Sequence, residues 1–374
     1  MQPQKLGFID ALRGFAALYV LVYHFSLITT PMATAPRWLA PFTGLGGTGV
    51  TLFFVVSAFT LCLSMDARKE DESTPLLNYF LRRFFRIAPL FYVWIVLYCI
   101  RDKIVFDDVH SLGEIARSVF FVLNLFPGHE QGFVWASWTI GVEMLFYALF
   151  PAIFWFADKI GKAVALFLAA LLVRSVWLTC VSHLVSDQQV AATYYNFSLL
   201  HHLPSFAFGV VLYRIYRLLD FNRAQKLGTG EMLIATFGVA WLSVAYGFIQ
   251  IDTFEGLTLE AATYGILLIG LAIKSPVLFV NRVTRFYGKI SYSVYLSHAT
   301  TLFLLSRVFA VIYERFPDVT IAYLLSLTLG LAIVTTLSYF TYRYIETPGN
   351  NAGRAVIRWL QKARRDSMTS ATVS

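Results

Sequence analysis

The chain has 374 residues, of which 57% are hydrophobic and only 14% charged, with a formal net charge of +8. Soluble domains carry about 25% charged residues, so an ordinary soluble fold is excluded: it would lack the polar surface to cover itself. The basic excess does not point to nucleic acid, because the lysines and arginines lie between apolar runs rather than on one polar face.

Apolar runs of about 20 residues read as membrane-spanning helices. In chain order they fall near 8–29, 48–65, 86–105, 137–157, 163–183, 201–219, 231–250, 258–273, 290–313 and 320–344. The expected architecture is therefore an all-α polytopic bundle of about ten transmembrane helices. The stretch 115–126 is apolar but too short to cross, and reads as an interfacial or re-entrant helix. With a cytoplasmic N-terminus, the inner loops carry Arg68, Lys69, Arg82, Arg83, Arg86, Lys159, Lys162, Arg214, Arg217, Arg223, Lys226, Lys274, Arg282, Arg285 and Lys289. The tail adds Arg343, Arg354, Arg358, Lys362, Arg364 and Arg365, whereas the outer loops hold only Arg37, Arg101, Lys103, Arg117, Arg307 and Arg315. This asymmetry places both termini in the cytoplasm. No cleaved signal peptide is expected, since Arg13 interrupts the first apolar run. The membrane domain is expected over 1–348. The basic cytoplasmic tail, 349–374, is expected to begin where Pro348 and Gly349 end the last helix. An amphipathic helix on the inner membrane surface is expected over 355–365, with disorder from Asp366.

Ionisable groups inside a membrane are costly and mark function. Arg13 and His24 lie eleven residues apart, about three helical turns, on one face and about 16 Å apart along the axis. Asp10, one turn before Arg13, is placed to orient it through an ion pair. Arg82, Arg83 and Arg86 enter the third span as a cluster suited to phosphate, just before the helix-kinking Pro89. Glu143 stands in an otherwise apolar helix with Tyr147 one turn on. Its expected partner is His24, with an arginine as the alternative. Ser291, Tyr295 and His298 form a polar stripe that serves either as a site or as interhelical hydrogen bonding. The pair His201 and His202 reads as interfacial, and Glu346 as a partner of Arg343 or of the tail. Cys62, Cys99 and Cys180 all fall in apolar segments and read as packing residues, without disulfide or metal spacing.

Taken together, these motifs resemble the acyltransferase 3 family. The resemblance rests on the run from Phe8 through Asp10 and Arg13 to His24, on Gly49–Phe59 with Ser57, and on Arg82–Tyr92, Trp138–Tyr147 and Ile290–His298. Ala58 stands where the family has glycine. The resemblance spans essentially the whole chain and implies the stand-alone form, without an extracytoplasmic esterase-like domain. It implies a bacterial inner-membrane O-acyltransferase that moves an acyl group, typically acetyl, from cytoplasmic acyl-CoA to a hydroxyl of a glycan or lipid-linked glycan at the outer side. Acyl-CoA is then a substrate, with no resident cofactor and no metal, and membrane lipids surround the chain. The oligomeric state stays open, a homodimer included.

On this reading His24 is the general base and Glu143 its catalytic partner. Asp10, Arg13, Ser57, Arg82, Arg83, Arg86, Trp138, Tyr147, Ser291, Tyr295 and His298 line the substrate path, with the arginines on the phosphates of the donor. Direct attack of the hydroxyl on the thioester, an acyl-histidine, and the less favoured attack through Ser57 remain alternatives. Two rivals are a transporter, in which the polar groups form a permeation path, and a haem carrier with His24 and His298 as an axial pair.

Overall fold

The computed structural model describes residues 6–29, 33–68, 72, 74–249 and 253–373, the side chains of 253–255 and 365–373 excepted. Lys69 and the Arg365 side chain, two of the inner-side charges, lie outside the described residues. The regular structure there is helical throughout. The first half comprises α1 (Gly7–Ile28), α2 (Ala40–Gly44), α3 (Gly49–Asp66), α4 (Pro75–Val105), α5 (Leu112–Val119), α6 (Ser137–Phe156), α7 (Ile160–Leu184) and α8 (Gln188–Asn196). The second half comprises α9 (Leu199–Leu218), α10 (Phe221–Lys226), α11 (Thr229–Ala245), α12 (Thr253–Ile273), α13 (Arg282–Leu304), α14 (Ser306–Arg315), α15 (Val319–Thr341) and α16 (Thr347–Val373).

Each of the ten expected spans falls on a helix, but not all ten are long and apolar enough to cross a membrane. Seven are, among the described residues, or eight if α13 and α14, bent by 58° at Leu305, count as one broken span. α11 is short at 17 residues. α9 is diluted by His201, His202, Pro204 and Arg214. Half of its residues are buried by neighbouring helices, so it needs less apolarity. The 115–126 stretch is no span. It is the short α5, started by a capping box between Ser111 and Glu114, followed by a turn and a 3₁₀ turn at Leu123–Leu125.

Glycines set the closest helix approaches. Gly14 of α1 faces the backbone of Thr284 and Gly288 in α13, and Gly288 lies directly on the backbone of Asp10. Without side chains here, α1 and α13 pack along their length, as small residues permit in membrane bundles. A Gly288→Ala substitution would drive its methyl group into the Asp10 carbonyl. The expected loss is at the upper end of about 1–3 kcal/mol, read as a lower unfolding temperature in detergent.

Side-chain pairs fix the relative directions of the helices. The two ends of α1 meet the corresponding ends of α13, at Gly14–Gly288 and at His24–His298, so the two run parallel. α4 runs with them, since Tyr292 donates to the Ile87 carbonyl and Thr300 to the Tyr98 hydroxyl. α3, α6 and α9 run the other way. Phe59 packs on Phe8, Phe54 meets Trp138 and His202, Ser57 meets Glu143, and Phe59 also meets Tyr213.

The tail departs from expectation. Pro348 and Gly349 do not end the last helix: α15 passes through a π turn at Tyr342–Glu346 straight into α16, whose backbone is helical to Val373, including the stretch expected to be disordered. Pro348 follows directly on the π turn, where the regular i→i−4 bonding is already interrupted. Gly349 is a contact point rather than a cap. A Cβ there would lie 2.7 Å from Pro89 Cγ, and one at Gly353 would lie 2.7 Å from Phe85 Cβ. These two glycines, one turn apart, seat the start of α16 against α4.

Candidate functional site

Two cavities adjoin within the bundle. The larger, about 740 Å³, opens beside the N-terminal ends of α1, α4 and α13 and the face of α16, and is strongly basic. The smaller, about 70 Å³, lies deeper among α1, α3, α4, α6 and α13. Arg13, Arg83 and Arg86 line both, so the basic vestibule narrows through three guanidinium groups into the inner cavity.

In the inner cavity Glu143 is held by its neighbours in the fold. Ser57 Oγ donates to Glu143 Oε1 at 2.6 Å, and the Tyr147 hydroxyl, one turn along the same helix, donates to the same oxygen. Arg83 sits over the Tyr147 ring at 5.9 Å. Arg13 feels the attraction of Glu143 and Glu346 and the repulsion of Arg86. The expected Glu143–His24 pair is not formed. Glu143 faces α3, whereas the glycine contact keeps α1 against α13, so His24 meets a residue of α13 instead.

That residue is His298. Its Nε2 lies 3.0 Å from His24 Nδ1, while its own Nδ1 faces the carbonyls of Tyr295 and Val294 at 2.7 and 3.2 Å. Carbonyl oxygens only accept, so His298 Nδ1 carries the proton and its Nε2 is bare. In the neutral pair His24 Nδ1 must then donate, which leaves the lone pair of His24 on Nε2. The backbone of α13 thus fixes the tautomer of a histidine on another helix. In this arrangement the two ring nitrogens are in direct hydrogen-bond contact, closer than the roughly 4 Å that separates two trans ligands of one metal.

The remaining expected residues divide. Tyr295 and Ser291 line the inner cavity. The Tyr295 hydroxyl lies 2.8 Å from Thr139 Oγ1, its ring packs against His298, and the fully buried Ser291 hydroxyl has no hydrogen-bond partner. Arg82 pairs with Glu72 at 2.7 Å on the vestibule wall. Arg86 is bound to Glu346, whose other oxygen accepts from Ser293 at 2.9 Å. Glu346 is therefore a partner of α4 and α13, not of Arg343 or the tail. Asp10 lines the vestibule but makes no ion pair with Arg13, and its Oδ2 is buried without a partner, because its backbone is pressed against Gly288. Trp138 lines neither cavity. It packs among Phe197, His202 and Phe54. His202 is buried among neighbouring side chains and bonds the Asn196 carbonyl at 2.9 Å.

Sequence reasoning passed over two charged residues inside apolar runs. Arg174 in α7 is 2% exposed and bonds the Tyr195 hydroxyl, and Glu260 in α12 accepts from Thr51 at 2.7 Å. The signal that singled out Glu143, one charge in an apolar helix, was present for both. Of a third group, Arg101 with Asp102 and His110, only Arg101 was read, as loop charge. Arg101 is nearly buried, stacks at 3.9 Å on Tyr98 and bonds Thr300, two residues from His298.

The chain matches known proteins along most of its length. It is 25% identical over 301 residues to a putative acetyltransferase of Acidianus two-tailed virus, covering 78% of this chain and 81% of that one. It is 24% identical over 370 residues to the peptidoglycan O-acetyltransferase OatA of Listeria monocytogenes, covering 91% of this chain and 55% of the relative. It is 22% identical over 391 residues to the O-acetyltransferase OatA of Staphylococcus aureus, covering 97% and 60%. The chain thus spans a little over half the length of the OatA proteins. No solved structure matches. The acyltransferase 3 model, described as an acyltransferase domain, matches residues 6–343, and the chain belongs to that family.

Proposed function

We propose that the protein is a plasma-membrane O-acyltransferase with about ten crossings and cytoplasmic termini, as in a bacterial inner membrane. It takes an acyl group, acetyl in the first instance, from cytoplasmic acyl-CoA and delivers it to a hydroxyl of a glycan at the outer side. The opposite directions of α1, α4 and α13 against α3, α6 and α9 support the alternation that ten crossings require. The observation that carries the reading is the arrangement along α1. A basic vestibule stands at one end, a three-arginine neck leads to a polar cavity, and a histidine with a directed lone pair lies about 16 Å beyond Arg13.

The vestibule holds the phosphates of the donor, since guanidinium groups pair with phosphate oxygens through charge-assisted hydrogen bonds. The pantetheine arm passes Arg13 and Arg83 into the cavity lined by Glu143, Ser57 and Tyr147, and brings the thioester to Tyr295, whose ring packs against His298; the histidine pair itself lies just outside the cavity lining. His24 Nε2 takes the proton of the acceptor hydroxyl as its oxygen attacks the thioester carbonyl carbon. The C–S bond breaks, and the proton passes on to the departing thiolate to give free CoA. His298 holds His24 in the required tautomer. Glu143, with Ser57 and Tyr147, balances Arg13 rather than orienting His24. The names of the OatA relatives make peptidoglycan the first acceptor to try.

The test is the protein in liposomes with acetyl-CoA at the vestibule side and peptidoglycan fragments at the other, reading thiol release. Release that depends on acceptor is expected. No release with any acyl chain length, from folded protein, would overturn the assignment.

A further inference from the structure

The vestibule has a wall that the arginine motif of α4 does not supply. Eight cationic side chains line it against two carboxylates, Asp10 and Glu72. Glu72 already engages Arg68 and Arg82, and Glu346 engages Arg86. Five cations remain without an ion pair among the described residues: Arg13, Arg83, Lys289, Arg354 and Arg358. Two of the five belong to α16.

They are placed there by the same features that keep the chain helical past Pro348. Gly349 and Gly353 put one face of α16 onto Pro89 and Phe85, within a turn of Arg82, Arg83 and Arg86. Arg354, Ile357, Arg358 and Gln361 then recur at helical spacing along the cavity side. Both arginines are exposed to the cavity rather than buried in protein contacts. A 740 Å³ space with unpaired cations from four helices is a binding site for a polyanion of nucleotide size, not a lone helix surface.

We infer that α16 is a functional wall of the donor site, with Arg354 and Arg358 joining Arg83 and Lys289 on the phosphates of the nucleotide end of the donor. The inference rests on the donor reading above and extends it: the segment expected to be a loose basic tail is part of the binding machinery. A basic helix facing anionic lipid headgroups would use the same chemistry, so the test separates the two sources.

CoA is titrated calorimetrically into the 374-residue protein in lipid-free detergent, comparing wild type, the double substitution Arg354→Gln with Arg358→Gln, and Lys362→Gln. Lys362 is exposed on the same helix but does not line the cavity, so its substitution controls for loss of positive charge alone. Each variant is also tested for binding to phosphatidylglycerol vesicles. The inference expects the double variant to bind CoA at least about tenfold more weakly, with Lys362→Gln at the wild-type value. Equal weakening by Lys362→Gln would reduce the effect to diffuse charge and overturn the inference. Unchanged CoA binding would also overturn it, and if vesicle binding were lost at the same time would assign α16 to the lipid surface. Wild-type protein that binds no CoA would instead remove the donor reading on which the inference stands. Gly353→Leu gives an independent arm: by pushing α16 off Phe85 it should weaken CoA binding while Arg83 and Lys289 are intact.

Discussion

Replacing His24 by alanine is expected to lower acyl transfer by about 10²–10⁴-fold, the usual contribution of a positioned general base, while donor binding stays at its wild-type value. The donor phosphates are held at the vestibule, about 16 Å from His24 along α1, so the two readouts separate. His298 makes the sharper test. His298→Ala removes the acceptor that holds His24 Nδ1–H, leaving the imidazole free to turn or to carry its proton on Nε2. Transfer should fall, with the loss in kcat rather than in KM for acyl-CoA. His298→Gln offers a side-chain carbonyl at a similar reach and should restore part of the rate if His298 acts as an acceptor toward His24. A donor-binding defect in His24→Ala equal to its transfer defect would remove His24 from the base role. Equal activity of His298→Ala and wild type would leave the pair as packing.

Glu346→Ala is expected to cost the most stability of any single change in the site. The Glu346 side chain has no exposure, and it binds Arg86 and Ser293 from two other helices. Removing it leaves the Arg86 guanidinium, 22% exposed toward the vestibule, without its partner, a loss toward the lower end of the about 3–5 kcal/mol seen when a buried pair is broken on one side. It also releases the junction between the π turn and α16. Thermal unfolding in detergent should show the loss directly, and CoA binding should weaken because Arg86 and α16 both border the vestibule. Unfolding at the wild-type temperature would mean that water or lipid reaches Arg86 and that the pair contributes little. Substituting Arg86 and Glu346 together, to Met and Leu, should recover much of the stability without recovering donor binding, since no uncompensated charge is left.

The pattern of apolar runs was enough to place the long helices, because a membrane forces length and apolarity onto any segment that crosses it. It was least informative where a helix is shielded by others, as in α9. A shielded helix can carry His201, His202 and Arg214 and still sit in the bundle. The candidate residues were legible one at a time for the same reason. A charge in an apolar helix is conspicuous, and the rule that found Arg13, His24 and Glu143 would also have found Arg174 and Glu260 had it been applied throughout.

Pairing was not legible. Glu143 and His24 looked like partners because both are costly in a membrane, but cost says only that a partner exists. The glycines Gly14 and Gly288 decided which one, by bringing α1 against α13 so closely that His24 meets His298, while Glu143 falls to Ser57 and Tyr147. The tail shows the same division. Pro348 and Gly349 carry the local signature of a helix end, yet the contact of Gly349 and Gly353 with α4 overrides it and turns a basic tail into a cavity wall. By itself the sequence determined the class of molecule, the approximate positions of its helices and the residues too costly to be idle, since solvent and backbone hydrogen bonding act on each segment alone. Only the tertiary structure decided which residues face one another, because that depends on how closely two helices can approach, and the backbone contacts that set this distance join residues far apart in the chain.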